Sequence, residues 1–179
     1  MIRIGILGDI GSGKSFVANR FGYPVFNADN EVSKLYKKNR KIFFKLNKKL
    51  SKYIKSFPIN KDQITKAILS NNTNFKKITK IVHKEIKKKM KLFLRKNKKR
   101  KIVILDIPLL LENKINNKKD ILIFVDSKKK DIEKRLIKRA GFNRKLFNKF
   151  KSIQFSSNYK KRKSHFIIKN NFTTKKINN

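Results

Sequence analysis

The sequence predicts an α/β protein built on a parallel sheet, and three observations carry that expectation. Residues 2–7, IRIGIL, form a short apolar run that stops at Gly8, the profile of a buried strand running into a turn. Two later runs, KIVILD (101–106) and ILIFVD (121–126), are almost continuous in β-branched and aromatic residues and close on an aspartate. Such continuity is expected of strands covered on both faces, as in a parallel sheet. Between these runs the apolar residues recur at helical spacing, so strand and helix alternate along the chain.

Each element follows in order. A short helix is expected from Lys14, because Gly22 and Pro24 interrupt the pattern before a second strand candidate, PVFNAD, which ends at Asp29. Residues 30–56 are lysine-rich with Leu35, Ile42, Phe43, Leu46 and Leu50 at helical spacing. A further helix is expected to open near Asn60 and stop in the asparagine-rich stretch 71–74. Phe75, Ile78, Val82, Ile86, Met90 and Phe93 then mark one face of a long amphipathic helix. After ILIFVD come helical patterns over 129–139 and 143–157, separated by AGFN, and a last strand candidate, HFIIKN. The polar tail 170–179 is expected to fray.

Composition limits the classes of function. The chain of 179 residues has room for one domain with a real core, and its 39% hydrophobic content argues against disorder. No apolar run is long enough to cross a bilayer, the first residues lack a basic leader, and cysteine is absent, all of which fit a cytoplasmic protein, which we expect to be a monomer. The formal charge of +39 is carried by 50 basic residues, of which nine are arginine. Arginine is the residue suited to bidentate contact with phosphates and bases, so so lysine-heavy a balance is not that of a dedicated nucleic-acid binder. Lys, Asn, Ile and Phe have codons rich in A and T, and we read the charge as the product of an AT-rich genome.

The stretch GDIGSGKSF (8–16) carries the chemistry. Three of the six glycines, Gly8, Gly11 and Gly13, fall within it, and it matches G-x-x-x-x-G-K-[ST] between a strand and a helix. Glycines let main-chain N–H groups turn inward toward phosphate oxygens, and the helix start adds partial positive charge. Lys14 would reach the β and γ phosphates of ATP, and Ser15 would ligate Mg²⁺. The acids refine this reading. Asp106, at the end of its strand, occupies the place of a second metal ligand, and Asp29 is the candidate to orient an acceptor hydroxyl and take its proton. Asp126 reads as a turn or cap. Arg135, Arg139 and Arg144 straddle the AGFN break, where a lid could close over the transferring group, and Arg139 is the best placed of the three.

These residues resemble the dephospho-coenzyme A kinase family. The likeness runs through GILGDIGSGKS (5–15), the NAD that ends at Asp29, VHKEI (82–86), LDIPLLLE (105–112), RLIKRAGFNR (135–144), Ile153 with Gln154, and HFIIKNN (165–171). It implies a three-layer P-loop kinase domain over the whole chain, with a helical substrate-binding insert at 30–96 and a lid at 128–160. It also implies ATP, Mg²⁺ and dephospho-CoA as ligands. By the same resemblance Gly8, Gly11, Ser12, Gly13, Lys14, Ser15 and Phe16 hold ATP, and Asp29, Lys61, His83, Pro108, Leu109 and Glu112 face the acceptor. Lys14, Asp29 and Arg139 would be catalytic, and Ser15 and Asp106 would bind the metal. The chain departs from the family at Asp9, where glycine is usual, at Phe16 for threonine and at Lys84 for proline. Lys61, Ser157 and Lys160 stand where arginines are expected. A kinase for another nucleotide-like substrate and a basic nucleic-acid-binding ATPase are the alternative readings. The genomic origin of the charge predicts third codon positions strongly biased to A and T; a balanced count in the coding DNA would return the lysines to selection for a polyanionic partner.

Overall fold

The structure, a computed structural model, describes residues 1–172. Residues 173–179 of the polar tail lie outside the described residues. The sheet has five strands in the order β2-β3-β1-β4-β5, formed by β1 (Ile2–Gly8), β2 (Val25–Asn27), β3 (Ile102–Asp106), β4 (Ile121–Asp126) and β5 (Phe166–Lys169). β1 pairs in parallel with β3, from Ile2 opposite Ile102 to Gly5 opposite Leu105, and with β4, from Ile4 opposite Ile121 to Gly8 opposite Val125. β4 in turn pairs in parallel with β5. The parallel arrangement expected from the continuous apolar runs is thus observed.

The chain divides into two compact units. The first contains Met1–Phe26, Lys99–Asn143 and the described residues from 151 onward, and so holds most of the sheet. On one face of its sheet Ile4, Ile6, Ile104, Ile123 and Val125 pack with Val17 and Ala18 of α1 (Lys14–Arg20). Alternate residues point the other way, and there Gly5 leaves room for Leu110 and Leu122: a Cβ on it would lie 2.6 Å from one leucine methyl and 2.9 Å from the other. α6 (Lys129–Lys138) and α8 (Ser157–Lys163) also belong to this unit. Arg3 ties β1 to the start of β4 through an ion pair of 2.9 Å with Asp120, a carboxylate almost wholly buried that also accepts the Asn117 N–H.

The second unit, Asn27–Lys98 with Arg144–Phe150, is helical. α2 (Ala28–Lys38) and α3 (Arg40–Leu50) divide what reads in sequence as one lysine-rich stretch, and the divider is Asn39. Its side-chain oxygen accepts the Ile42 N–H at 3.0 Å while its own N–H ends α2 on the Leu35 carbonyl, so one extended residue caps both helices. Asn60 opens α4 (Lys61–Ser70) in the same way, and Asn71 opens α5 (Asn72–Lys96). The asparagine-rich stretch 71–74 is therefore a one-residue break followed by helix, not a turn. Ile78, Val82 and Ile86 of α5 are buried as their spacing predicts, with Leu35, Ile42, Leu46, Ile64 and Ile68 completing the core of this unit. Glu31 pins α2 to α5, accepting from Lys34 at 2.6 Å and pairing with Lys89 at 3.2 Å. The first turn of α5 receives α7 (Arg144–Ser152): Phe75 meets Phe150 edge to face with centroids 5.8 Å apart, and Lys149 donates to Asn72 at 2.6 Å.

Two further boundaries differ from the sequence expectation. The helix expected over 143–157 is two helices, because the Ser156 hydroxyl accepts the Tyr159 N–H and starts α8 afresh. The second strand stops at Asn27, whose side chain accepts the Asn30 N–H at 2.8 Å and nucleates α2. Asp29 consequently stands in the first turn of a helix, not at a strand end. The double role of Asn39 makes a direct expectation: Asn39→Ala destabilises the protein by about 1 kcal/mol, seen as a lower urea midpoint, and an unchanged midpoint would deny the cap its weight.

Candidate functional site

The phosphate-loop stretch lies where its motif requires, between β1 and α1. Gly8 has φ 151°, and a Cβ there would fall 2.6 Å from Ser12 Oγ and 2.9 Å from the Val125 carbonyl, so the loop can fold over Ser12 only with glycine at its start. Gly13 is the N-cap of α1 at φ 88°, and a side chain on it would strike the Asn170 carboxamide. Among the described residues no side chain caps α1. The loop closes on itself through the Ser12 N–H to the Asp9 carbonyl at 3.1 Å. Lys14 Nζ donates to the same Asp9 carbonyl at 2.8 Å and to the Gly8 carbonyl at 3.2 Å, which sets its ammonium over the loop. Ser12 is fully buried, and its Oγ has no hydrogen-bond partner among the described residues. An orphaned hydroxyl beneath a glycine cradle fits a ligand rich in acceptor oxygens.

Three neighbours hold the loop from outside, contacts that sequence reading did not foresee. The Ser12 carbonyl accepts both the Ser127 hydroxyl and the Asn170 side-chain N–H at 2.9 Å, and the Asn170 main-chain N–H reaches the Asp126 carbonyl at 2.8 Å. The end of β5 is thereby stitched to β4 and to the loop, and Phe172 follows with its ring under the Arg135 guanidinium at 4.2 Å. Residues 170–172 are therefore docked, contrary to the expected fraying. Ile132 and Leu136 of α6 rest on the second side, where a Cβ on Gly11 would sit 3.1 Å from each. On the third side is α8. Ser157 Oγ donates to Asp9 at 2.6 Å and Lys160 Nζ to its other oxygen at 2.8 Å.

Asp9, Ser157 and Lys160, far apart in sequence, are thus one cluster. Burial raises the Asp9 carboxyl's hold on its proton, but the hydrogen bonds from Lys160 and Ser157 and the charges of Lys160 and Lys14 outweigh it, so Asp9 titrates below its ordinary 3.8. The neighbouring Asp126, read from sequence as a turn or cap, forms an ion pair with Lys161 at 2.7 Å.

The remaining predicted residues of the first unit surround the same end of the sheet. Asp106 is buried, 2% exposed, at the close of β3; because Gly5 stands opposite Leu105, it ends its strand beside the run that leads into Gly8. Pro108 and Leu109 follow at once, and Leu109 takes φ 58°, a left-handed conformation unusual for a leucine and held by Asn113, which donates to the Leu109 carbonyl from both its main chain and its side chain. Glu112 accepts the Phe155 N–H at 2.9 Å. Arg139 caps the end of α6 one turn beyond the residues that touch Gly11, with its side chain exposed. Ser15 and Phe16 are exposed on the first turn of α1, and Arg20 lies 5.1 Å over the Phe16 ring.

Asp29, Lys61 and His83 belong to the helical unit. Lys61 begins α4 and is exposed. His83 is half-buried on α5; burial, aided by the Lys87 charge, pushes its imidazole below the ordinary 6.5, so it is neutral at pH 7 and able to accept as well as donate a hydrogen bond. Among the described residues no cluster of three or more acidic, histidine or cysteine side chains is placed to hold a metal ion by itself. No helix among them is long and apolar enough to cross a membrane.

Comparison with known proteins gives a consistent answer. A family model described as dephospho-CoA kinase matches residues 2–176. The dephospho-CoA kinase of Wolbachia pipientis wMel is 34% identical over 92% of this chain and 87% of its own length, and that of Rickettsia typhi 33% identical over 94% and 87%. A crystal structure from Thermus thermophilus superposes with a TM-score of 0.74 at 24% identity, covering 94% of this chain and 88% of that one. The dephospho-CoA kinase from Campylobacter jejuni gives a TM-score of 0.62 at 22% identity, covering 96% and 89%. These two share the fold.

The lowered titration of Asp9 has a sign that can be tested. A carboxylate stabilised by its partners contributes in full above its ordinary value and loses that contribution as the pH falls through the lowered one. The tie between α8 and the loop therefore contributes in full above pH 3.8 and is lost only as the pH falls through the lowered value beneath it. Carbon-detected NMR of the Asp9 carboxyl is expected to give a midpoint under 3.8; a midpoint above it would exclude the pairing with Lys160.

Proposed function

The chain belongs to the dephospho-CoA kinase family, and we propose that it transfers the γ-phosphoryl group of ATP to the ribose 3′-hydroxyl of dephospho-CoA, giving coenzyme A and ADP, in the cytoplasm. The observation that carries this reading is the loop itself: Lys14 poised over the Gly8 and Asp9 carbonyls, above a buried Ser12 hydroxyl without a partner among the described residues.

ATP supplies the phosphoryl group, and Mg²⁺ the charge that offsets its crowded oxygens. The loop amides and the Lys14 ammonium bind those oxygens and neutralise charge that grows during transfer, the largest share of such catalysis. Ser15 and Asp106 would hold the metal, one hydroxyl and one carboxylate being the sparse protein set that suits an ion sharing phosphates and water. Asp29 aligns the acceptor hydroxyl and takes its proton as the oxygen attacks phosphorus. Arg139 reaches the phosphates from the end of α6 and helps to exclude water. Lys61, His83, Pro108, Leu109 and Glu112 shape the acceptor side; Lys61 offers charge to an anionic acceptor, and the neutral His83 offers a hydrogen bond.

The test is ADP release measured with and without dephospho-CoA. Rapid release that needs dephospho-CoA is expected, and release that needs a different alcohol would move the enzyme to another substrate. Lys14→Ala and Asp29→Asn should each lower turnover by about a hundredfold or more while circular dichroism and the melting temperature stay close to wild type; near-normal turnover in either variant would remove that residue from the mechanism.

A further inference from the structure

Two ammonium groups converge on the first turn of the phosphate loop. Lys14 Nζ lies 3.2 Å from the Gly8 carbonyl, and Lys160 Nζ, from α8, lies 3.4 Å from the same oxygen. Like charges gathered on one neutral carbonyl repel each other unless an anion lies with them. Asp9 is that anion: its carboxylate takes Lys160 at 2.8 Å on one oxygen and the Ser157 hydroxyl at 2.6 Å on the other. The Lys160 side chain is 3% exposed, deep enough that its charge is tenable only with a close partner. Ser157 and Lys160 stand three residues apart on α8 and so share a face, which explains how one short helix presents both.

The cluster meets the purpose of the loop at a point of conflict. A carboxylate in a loop that gathers phosphate oxygens repels them, and the loop works only if that charge is cancelled. The Asp9 main chain matters as well, because its carbonyl both closes the turn with Ser12 N–H and receives Lys14. Anchoring the Asp9 side chain fixes the peptide on which Lys14 is poised.

We propose that Lys160 is a positioning residue of the phosphate loop: it neutralises Asp9 and locks α8 to the loop, so that the loop presents no uncancelled carboxylate to the nucleotide. The proposal rests on the reading of this loop as the ATP site. Lys160 acts through Asp9, and its effect falls on nucleotide affinity and not on the transfer step.

The experiment uses the full chain and four variants, Lys160→Met, Lys160→Arg, Asp9→Asn and the double variant K160M with D9N. For each, KM for ATP and kcat are measured, with ATP titration by calorimetry and a thermal melt. K160M is expected to raise KM for ATP about tenfold with kcat within about twofold, because it exposes the nucleotide to an uncancelled charge. K160R should keep wild-type affinity. Adding D9N to K160M should recover most of the loss, which a purely structural role for the lysine would not allow. D9N alone leaves the buried Lys160 ammonium without its carboxylate and is expected to melt lower, while the folded protein, free of the loop's negative charge, should bind ATP at least as tightly as wild type; the double variant, which strands neither charge, should stay within about twofold of wild-type affinity even if a single variant fails to fold. Wild-type affinity in a folded K160M, no recovery in the double variant, or weakened binding in D9N would each overturn the proposal. A wild-type chain that binds no ATP would instead bring down the nucleotide reading on which it rests.

Discussion

The structure turns on the main-chain path of residues 8–13, which must present amides to a phosphate without a Cβ in the way. Such a loop has no core of its own, so its shape depends on what grips it. The grips come from three sides: Ser127 and Asn170 on the Ser12 carbonyl, Ile132 and Leu136 against Gly11, and Ser157 with Lys160 on Asp9. The last strand and last helix are thereby committed to the first turn of the chain. Preorganisation of this kind spares the reorganisation that a floppy loop would undergo at the moment of binding.

Charge is distributed by the same logic. With 50 basic and 11 acidic residues, a carboxylate is a scarce resource, and several are placed where they tie elements together. Asp120 joins Arg3 at the start of β4, Asp126 joins Lys161, Asp9 joins Lys160, and Glu31 joins Lys34 and Lys89 across α2 and α5. Most of the lysines meanwhile remain on exposed helix faces, where the ammonium stays hydrated and the stem covers apolar surface. A large excess of positive charge is compatible with the fold because the acids are spent at junctions.

Asparagine does comparable work in the helical unit. Asn27, Asn39, Asn60 and Asn71 each accept a main-chain N–H two or three residues ahead and start a helix. In a chain with many more asparagines than aspartates, this amide supplies the capping oxygen, and it sets the helix boundaries more sharply than the apolar spacing does.

Much of the protein was legible in its sequence because the relevant signals are local. The run from Ile2 through Gly8 into Lys14 names a strand, a phosphate loop and a helix within a dozen residues, and the parallel sheet follows from strands apolar on both faces. The face of α5 was readable from Ile78, Val82 and Ile86 for the same reason. What escaped were places where one residue decides, such as Asn27 ending β2 before Asp29 and Ser156 splitting the helix near the end. The support of the site escaped as well. Asp9 finds Ser157 and Lys160 at separations of 148 and 151 residues, and Ser12 finds Asn170 at 158. No periodicity or spacing encodes a pair so distant. Only the folded sheet, by laying β1, β4 and β5 side by side, brings the aspartate of the first turn and the lysine of α8 together as two halves of one contact.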